Sequence, residues 1–164
     1  MGFQISALDV DLFSHMFGVE DEVLAQSGVK RVVVDENPGF PCRVSLEDAR
    51  VGESALLLNF EHQSANSPFR SSHAIFVREW AVRARPSKDE VPEFLRLRLL
   101  SVRAFGADGM MLDADVVDGD RLEALIERLF TNKAVSYLHI HNARLGCYAA
   151  LVERMSADER EPTR

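Results

Sequence analysis

The fold is organised around residues 135–148, which read Val135-Ser-Tyr-Leu-His-Ile-His-Asn-Ala-Arg-Leu-Gly-Cys-Tyr148. The apolar start of this stretch predicts a strand, the Asn-Ala-Arg-Leu-Gly segment predicts a short turn, and a second strand should run from Cys147 to about Met155. The hairpin gathers two histidines, an asparagine, an arginine, a cysteine and a tyrosine within residues 139–148. We therefore expect this hairpin to form one wall of any reactive or binding site.

Other elements can be read outward from the hairpin. Residues 54–62 predict a strand with an almost continuous apolar centre, as found in strands that are covered on both faces. Residues 96–105 and 110–117 flank a Gly-Ala-Asp-Gly turn, which is typical of a second hairpin. Residues 121–131 carry leucine, isoleucine and phenylalanine at helical spacing and predict one long helix. The apolar spacing in residues 7–17 predicts a short amphipathic helix.

These elements predict an α+β fold with about seven strands and two or three helices. We expect one mostly antiparallel sheet with the 121–131 helix packed on one side. The strand–helix–strand unit from 110 to 141 would allow one parallel pair, which would make the sheet mixed. Residues 1–155 should form a single globular domain, and residues 156–164 should form a polar, disordered tail.

The composition narrows the class of protein. A chain of 164 residues with 46% hydrophobic and 27% charged residues is ordinary for a globular protein. The net charge of -7 argues against nucleic-acid binding. The two cysteines form no disulfide framework, and we find neither a signal-peptide pattern nor an apolar run of the ~18 residues that a membrane span needs. We expect a cytoplasmic protein that binds neither nucleic acid nor membrane.

The histidines of the hairpin suggest a metal site. Alternate residues of a strand share a face, so His139 and His141 should point the same way, about 7 Å apart. Two such imidazoles can bind one zinc or another divalent ion, and His62 could supply a third ligand. Other candidates for the third ligand are Cys42, Glu61 and Cys147. The alternative interpretation is a pair of ordinary strand histidines bonded to their neighbours.

A second hypothesis rests on arginines that lie beside predicted strand ends or turns. These are Arg43, Arg70, Arg78, Arg103 and Arg144. A guanidinium binds carboxylate or phosphate through two parallel hydrogen bonds. If several arginines converge on the hairpin, they would form a pocket for a small anionic ligand, in which His139 or His141 could act as general acid or base. We assign this ligand-binding role to Arg43, Arg70, Arg78, Asn142 and Arg144. The alternative is that each arginine pairs with a nearby carboxylate, such as Glu61 or Glu79.

Cys147 offers a further possibility, since a thiol beside histidine and arginine can become a nucleophile. The candidate catalytic residues are thus His139, His141 and Cys147, although a free cysteine is more often an inert, buried apolar residue. Three functions follow. We favour the binding of an anionic small molecule. The first alternative is a metal-dependent, hydrolase-like enzyme. The second is a non-enzymatic interaction or oligomeric protein that uses an apolar patch or a sheet edge.

Several segments together resemble a known family. They are Asn37-Pro-Gly-Phe-Pro-Cys-Arg-Val-Ser-Leu46, Leu56-Leu-Leu-Asn-Phe-Glu-His62, Ser67-Pro-Phe-Arg-Ser-Ser72, Ile75-Phe-Val-Arg-Glu79 and Tyr137-Leu-His-Ile-His-Asn-Ala-Arg-Leu-Gly-Cys-Tyr148. This combination is similar to an uncharacterised bacterial family catalogued as domain of unknown function twelve hundred and three. The resemblance covers the chain roughly from Phe3 to Arg154. It implies a small, single-domain cytosolic bacterial protein, and it implies no particular activity, cofactor or catalytic residue.

Overall fold

A computed structural model describes residues 2–156, and this part of the chain forms ten strands in two sheets. The strands are β1 (Gly2–Ser6), β2 (Lys30–Val33), β3 (Pro41–Cys42), β4 (Glu47–Asp48), β5 (Ser54–Gln63), β6 (Ser71–Arg78), β7 (Leu99–Phe105), β8 (Met111–Asp118), β9 (Tyr137–Asn142) and β10 (Tyr148–Met155). Sheet A has the order β1-β10-β9-β7-β8, and sheet B has the order β2-β5-β6-β3-β4.

Sheet A is antiparallel throughout and contains both predicted hairpins. Strands β7 and β8 are joined by the Gly-Ala-Asp-Gly turn, and strands β9 and β10 are joined by the turn that ends at Gly146. Strand β9 lies between β7 and β10, with Arg103 opposite His139 and Tyr148 opposite His141. The first strand, β1, pairs with β10.

Sheet B is built on the long hairpin of β5 and β6, with β2 added along the other side of β5. The one parallel pairing of the described strands joins β3 to β6 and places Cys42 opposite Phe76. The pairing of β5 with β6 shifts between Glu61 and Gln63, so His62 lies at a β-bulge. Bulges bend a strand and redirect its side chains, often beside functional sites.

The helices are short. They are α1 (Asp21–Gln26), α2 (Glu93–Arg96) and α3 (Leu122–Phe130), with 3-10 turns at Val10–Leu12, Ser14–Met16 and Gly119–Arg121. The apolar stripe of α3 includes Leu125 and Ile126, which share one buried cluster with Leu138 and Ile140 of β9. Alternation along β9 therefore places these apolar residues in the core and the two histidines on the other face. No helix in residues 2–156 is long and apolar enough to span a membrane.

The structure confirms the α+β class, both hairpins and the 121–131 helix, but the expected single sheet of about seven strands is wrong. Periodicity identifies strands without showing which of them pair, and here the strands divide between two sheets. The parallel pair that residues 110–141 would allow does not form, because β7 lies between β8 and β9 and pairs antiparallel with both. The amphipathic helix expected over residues 7–17 is two 3-10 turns.

The two sheets meet where β5 approaches β9 and β10. The Gln63 side chain donates a hydrogen bond of 2.9 Å to the Tyr137 hydroxyl. The ring of Phe60 contacts the ring of Tyr148, with 6.3 Å between the centroids. The candidate site lies at this junction, so its residues come from both sheets. The tail predicted for residues 156–164 lies, except for Ser156, outside the described residues.

Candidate functional site

Three histidines from the two sheets form one cluster, which we call the histidine cluster: His62, His139 and His141. One ligand nitrogen of each ring lies within 4.8 Å of those of the other two. The His62 and His141 rings are closest, with centroids 4.8 Å apart, and His139 lies 6.3 Å from His62. The same-face geometry predicted for β9 is present, and the bulge in β5 places the third imidazole opposite that face.

The His141 ring is oriented by the hairpin turn. Its Nδ1 lies 2.9 Å from the carbonyl oxygen of Gly146. Because a carbonyl oxygen can only accept, Nδ1 must carry the proton, and in the neutral ring Nε2 presents its lone pair. Gly146 has a φ of +79°, which an L side chain would strain, so glycine permits the turn that brings this carbonyl back to the ring.

Each ring of the cluster has a buried nitrogen without a hydrogen-bond partner among the described residues. These atoms are Nδ1 of His62, Nδ1 of His139 and Nε2 of His141. A buried polar atom without a partner costs about 1–3 kcal/mol, so three in one place are expensive. A ligand that accepts their lone pairs would remove this cost.

The imidazoles are held in the neutral state. Burial lowers the pKa of His62 and of His139 to about 4, and burial lowers the pKa of His141 to about 3. The positive charge of Arg103 lowers the pKa of all three further. The cluster is therefore uncharged at neutral pH, which is the form that binds metal ions.

Aromatic rings surround the cluster. Tyr148 stacks on His62 with 5.7 Å between centroids and 8° between planes, and its ring edge meets His139 at 5.3 Å. Phe105 and Tyr137 contact His139 at 5.1 and 5.2 Å. Tyr148 was not among the residues selected from the sequence, although its position just after the turn places it opposite His141. These rings exclude water and strengthen electrostatic interactions inside the site.

The cluster matches a transition-metal site in its donors and nearly in its dimensions. Zinc with nitrogen ligands at about 2.0–2.1 Å in tetrahedral geometry needs donor atoms about 3.3 Å apart. To hold zinc, donor atoms that lie up to 4.8 Å apart would have to approach one another by about 1.5 Å. His139 and His141 are buried, whereas His62 is half-buried, so rotation of the His62 ring is the movement that can close the site.

Several residues assigned to anion binding line a separate cleft of about 650 Å³, which we call the arginine cleft. The predicted residues at its walls are Arg43, Asn142, Arg144 and Cys147. Arg43 is 1% exposed and donates a hydrogen bond of 2.7 Å to the carbonyl oxygen of Tyr148, which ties sheet B to sheet A. Arg144 is exposed, and the Asn142 side-chain oxygen is buried without a partner in residues 2–156.

The structure does not bring Arg70 and Arg78 into this cleft. Arg70 is exposed and pairs with Glu61 at 3.0 Å. The guanidinium of Arg78 donates to Glu53 at 2.6 Å and to Glu47 at 3.1 Å. Both arginines are thus occupied by carboxylates, which is the alternative interpretation given above.

Cys147 lines the arginine cleft, and among the described residues it has no hydrogen bond to His139 or His141. The Asn142 side-chain nitrogen donates to its sulfur at 3.3 Å. Within the described region both cysteines are buried free thiols. The group of residues close enough to hold an ion with His139 and His141 contains His62 and none of the other candidates, Cys42, Glu61 and Cys147. The two predicted chemistries, imidazole and guanidinium, therefore lie in adjacent but different places around one hairpin.

A comparison with protein families shows which family the chain belongs to. A family model described as Protein of unknown function (DUF1203) matches residues 39–154, which is more than half of the chain. The chain belongs to the DUF1203 family. All three members of the histidine cluster and the four residues of the arginine cleft lie inside the span that matches the DUF1203 model. No curated protein and no solved structure gives a significant match.

Proposed function

We propose that the histidine cluster binds one divalent transition-metal ion, with zinc as the best match, and that this DUF1203 protein is a metal-dependent hydrolase. The observation that carries the proposal is the convergence of three neutral imidazoles, each with an unpaired buried nitrogen. A structural role alone would leave a buried nitrogen of each of three neighbouring rings unsatisfied, which is rare for buried polar groups in proteins.

The type of ligand atom in the histidine cluster limits which metal ions it can bind. Imidazole suits zinc, iron, nickel and copper, whereas calcium and magnesium take oxygen ligands. The ligands of the cluster are all nitrogens. Three protein ligands leave at least one coordination position for water or substrate, which distinguishes catalytic zinc sites from closed structural ones. The Gly146 carbonyl on His141 Nδ1 is the kind of outer contact that orients metal-binding histidines.

The reaction that such an ion supports is the addition of water across a bond. An ion held by His62, His139 and His141 would supply Lewis acidity and would lower the pKa of a bound water to about 7. In such a hydrolysis the water oxygen would bond to a carbonyl carbon or a phosphorus atom while the bond to the leaving group breaks. The proton lost by the water would balance the proton gained by the leaving group, so one water would be consumed and one bond hydrolysed.

A second candidate function is the binding of a small anionic molecule in the arginine cleft. It is favoured by two residues that line the cleft: Arg144, which has no internal partner in the described region, and Asn142, whose side-chain oxygen has none. We also infer a cytoplasmic setting, since Cys42 and Cys147 are both free thiols. An oligomeric or interaction role stays a prediction.

The metal proposal is tested by elemental analysis of untagged protein expressed in metal-supplemented medium. Wild type should contain close to one transition-metal ion per chain, and the double variant His139→Ala/His141→Ala should contain almost none. His15→Ala is the matched control, because His15 is exposed in the Ser14–Met16 turn and should leave the metal content unchanged. Circular dichroism establishes that each variant is folded. Metal-free wild type that also fails to take up added zinc in calorimetry would overturn the proposal.

A further inference from the structure

Arg103 is a positively charged side chain that lies beside the histidine cluster. It lies on β7 directly opposite His139 of β9, and directly opposite residues in a sheet project from the same face with Cβ atoms about 5 Å apart. From this position the charge of Arg103 contributes, after burial, to the low pKa of every histidine in the cluster.

Arg103 has no ion pair and no hydrogen bond within residues 2–156, although it is half-buried. Of the other half-buried arginines, five each pair with a carboxylate, namely Arg31, Arg78, Arg83, Arg96 and Arg98. Arg154 donates hydrogen bonds to backbone carbonyl oxygens, including those of Phe130 and Val135. Burying a charged guanidinium without a hydrogen-bond partner costs free energy, because the group loses its contacts with water. Burial accordingly lowers the pKa of Arg103. The exception among these arginines is therefore the one beside the cluster.

The surroundings of the cluster contain positive charge without a counterion. Apart from histidines, the side chain whose charge acts on the pKa of His62, His139 and His141 is Arg103, and no carboxylate acts on any of the three. A divalent ion would add two more positive charges at the same place. A ligand that carries negative charge would balance them.

We propose that the substrate of the metal centre carries a carboxylate or phosphate group, and that Arg103 binds this group beside the metal. The inference rests on the proposed metal site. Carboxylate and phosphate both match the planar fork of a guanidinium, which can donate two parallel hydrogen bonds to either. Held this way, the anionic group fixes the position of the neighbouring bond relative to the metal-bound water.

The test uses cobalt(II), whose visible spectrum reports on the coordination of zinc-type sites. Cobalt-loaded wild type is titrated separately with acetate, inorganic phosphate and neutral imidazole, and the dissociation constants are compared with those of Arg103→Gln. We expect the variant to bind the preferred anion about tenfold to a hundredfold more weakly, which is the cost of one charge-assisted interaction. Imidazole, which binds metal without using a cation, should be unaffected. Acetate and phosphate compared in wild type show which anion is preferred.

Two further variants make the result specific. Arg121→Gln removes an exposed arginine at the start of α3 and should bind every probe as wild type does. Arg103→Lys keeps the charge and loses the fork, so its anion affinity should lie between those of wild type and Arg103→Gln. If wild type and Arg103→Gln both bind cobalt and bind the anions equally well, the inference about Arg103 is overturned and the metal site is not. Wild type that binds no cobalt would overturn the metal site, and the inference with it.

Discussion

His62 is the member of the histidine cluster that comes from sheet B, so its removal tests whether metal binding needs both sheets. The change His62→Ala leaves His139 and His141 with their own orientation, since the Gly146 carbonyl still holds the His141 ring. It removes one potential ligand and the stack of His62 on Tyr148. We expect a large change in zinc-linked stability and a small change in the stability of the metal-free protein.

The magnitudes follow from linkage. Zinc at 100 times its dissociation constant stabilises a protein that binds it only when folded by about 2.7 kcal/mol, which corresponds to a rise of about 5–10 °C in Tm for a domain near this size. If loss of His62 weakens binding a hundredfold, the same zinc concentration contributes only about 0.4 kcal/mol. In metal-free protein the lost ring stack costs about 0.5–1.5 kcal/mol, and removal of the unpaired Nδ1 offsets part of that cost.

The assay is calorimetric melting of wild type, His62→Ala and His15→Ala, each metal-free and across a zinc titration. Wild type and His15→Ala should show the same zinc-dependent rise in Tm, and His62→Ala should show almost none. A rise of equal size in His62→Ala would refute the reasoning, because zinc would then bind without the sheet B ligand.

Two predictions concern the scaffold. The Arg31 hydrogen bond holds the pKa of Glu79 at about 2, so Glu79 should stabilise the fold by about 2 kcal/mol after screening is allowed for. This contribution is present above the unfolded pKa of about 4.5 and lost as pH falls toward 2. Urea unfolding of wild type and Glu79→Gln should therefore differ most at pH 7 and converge only as the pH falls below about 2, whereas a difference independent of pH would contradict the prediction. Gly119→Ala places a Cβ 1.9 Å from the Leu95 carbonyl oxygen and should destabilise the protein by about 1–3 kcal/mol, and an unchanged urea midpoint would show that the backbone yields without cost.

Local patterns in the sequence were sufficient for hairpins and for the face of a strand. The Gly-Ala-Asp-Gly turn specifies the β7–β8 hairpin because the paired strands are adjacent along the chain. Period-two alternation correctly placed His139 and His141 on one side of β9. The pairing of β1 with β10 could not be predicted in the same way, since the partners are separated by most of the chain and nothing local records their register.

The site was predictable only as far as its local geometry. His62 was one of four candidates for the third ligand, and the choice depends on the bulge in β5 and the contact between sheets, neither of which has a local signature. Whether an arginine is available to bind a ligand depends on whether a carboxylate lies close enough to pair with it. Arg78 meets Glu53 across the start of the β5–β6 hairpin, whereas Arg103 has no carboxylate partner in the described region. Sequence chemistry identified the residue types, and long-range packing decided their roles.

The pairing of β1 with β10 has a consequence for biosynthesis. Gly2 lies opposite Met155 and Ser6 lies opposite Leu151, so β1 is made first but has no partner in sheet A until β10 has left the ribosome. At ~5–20 residues per second, this interval is roughly 10–30 s. During it β1 has no strand partner in sheet A. Sheet A, which carries His139 and His141, is complete only after β10 has emerged, so an ion at the proposed metal site would meet its final surroundings only from that point on.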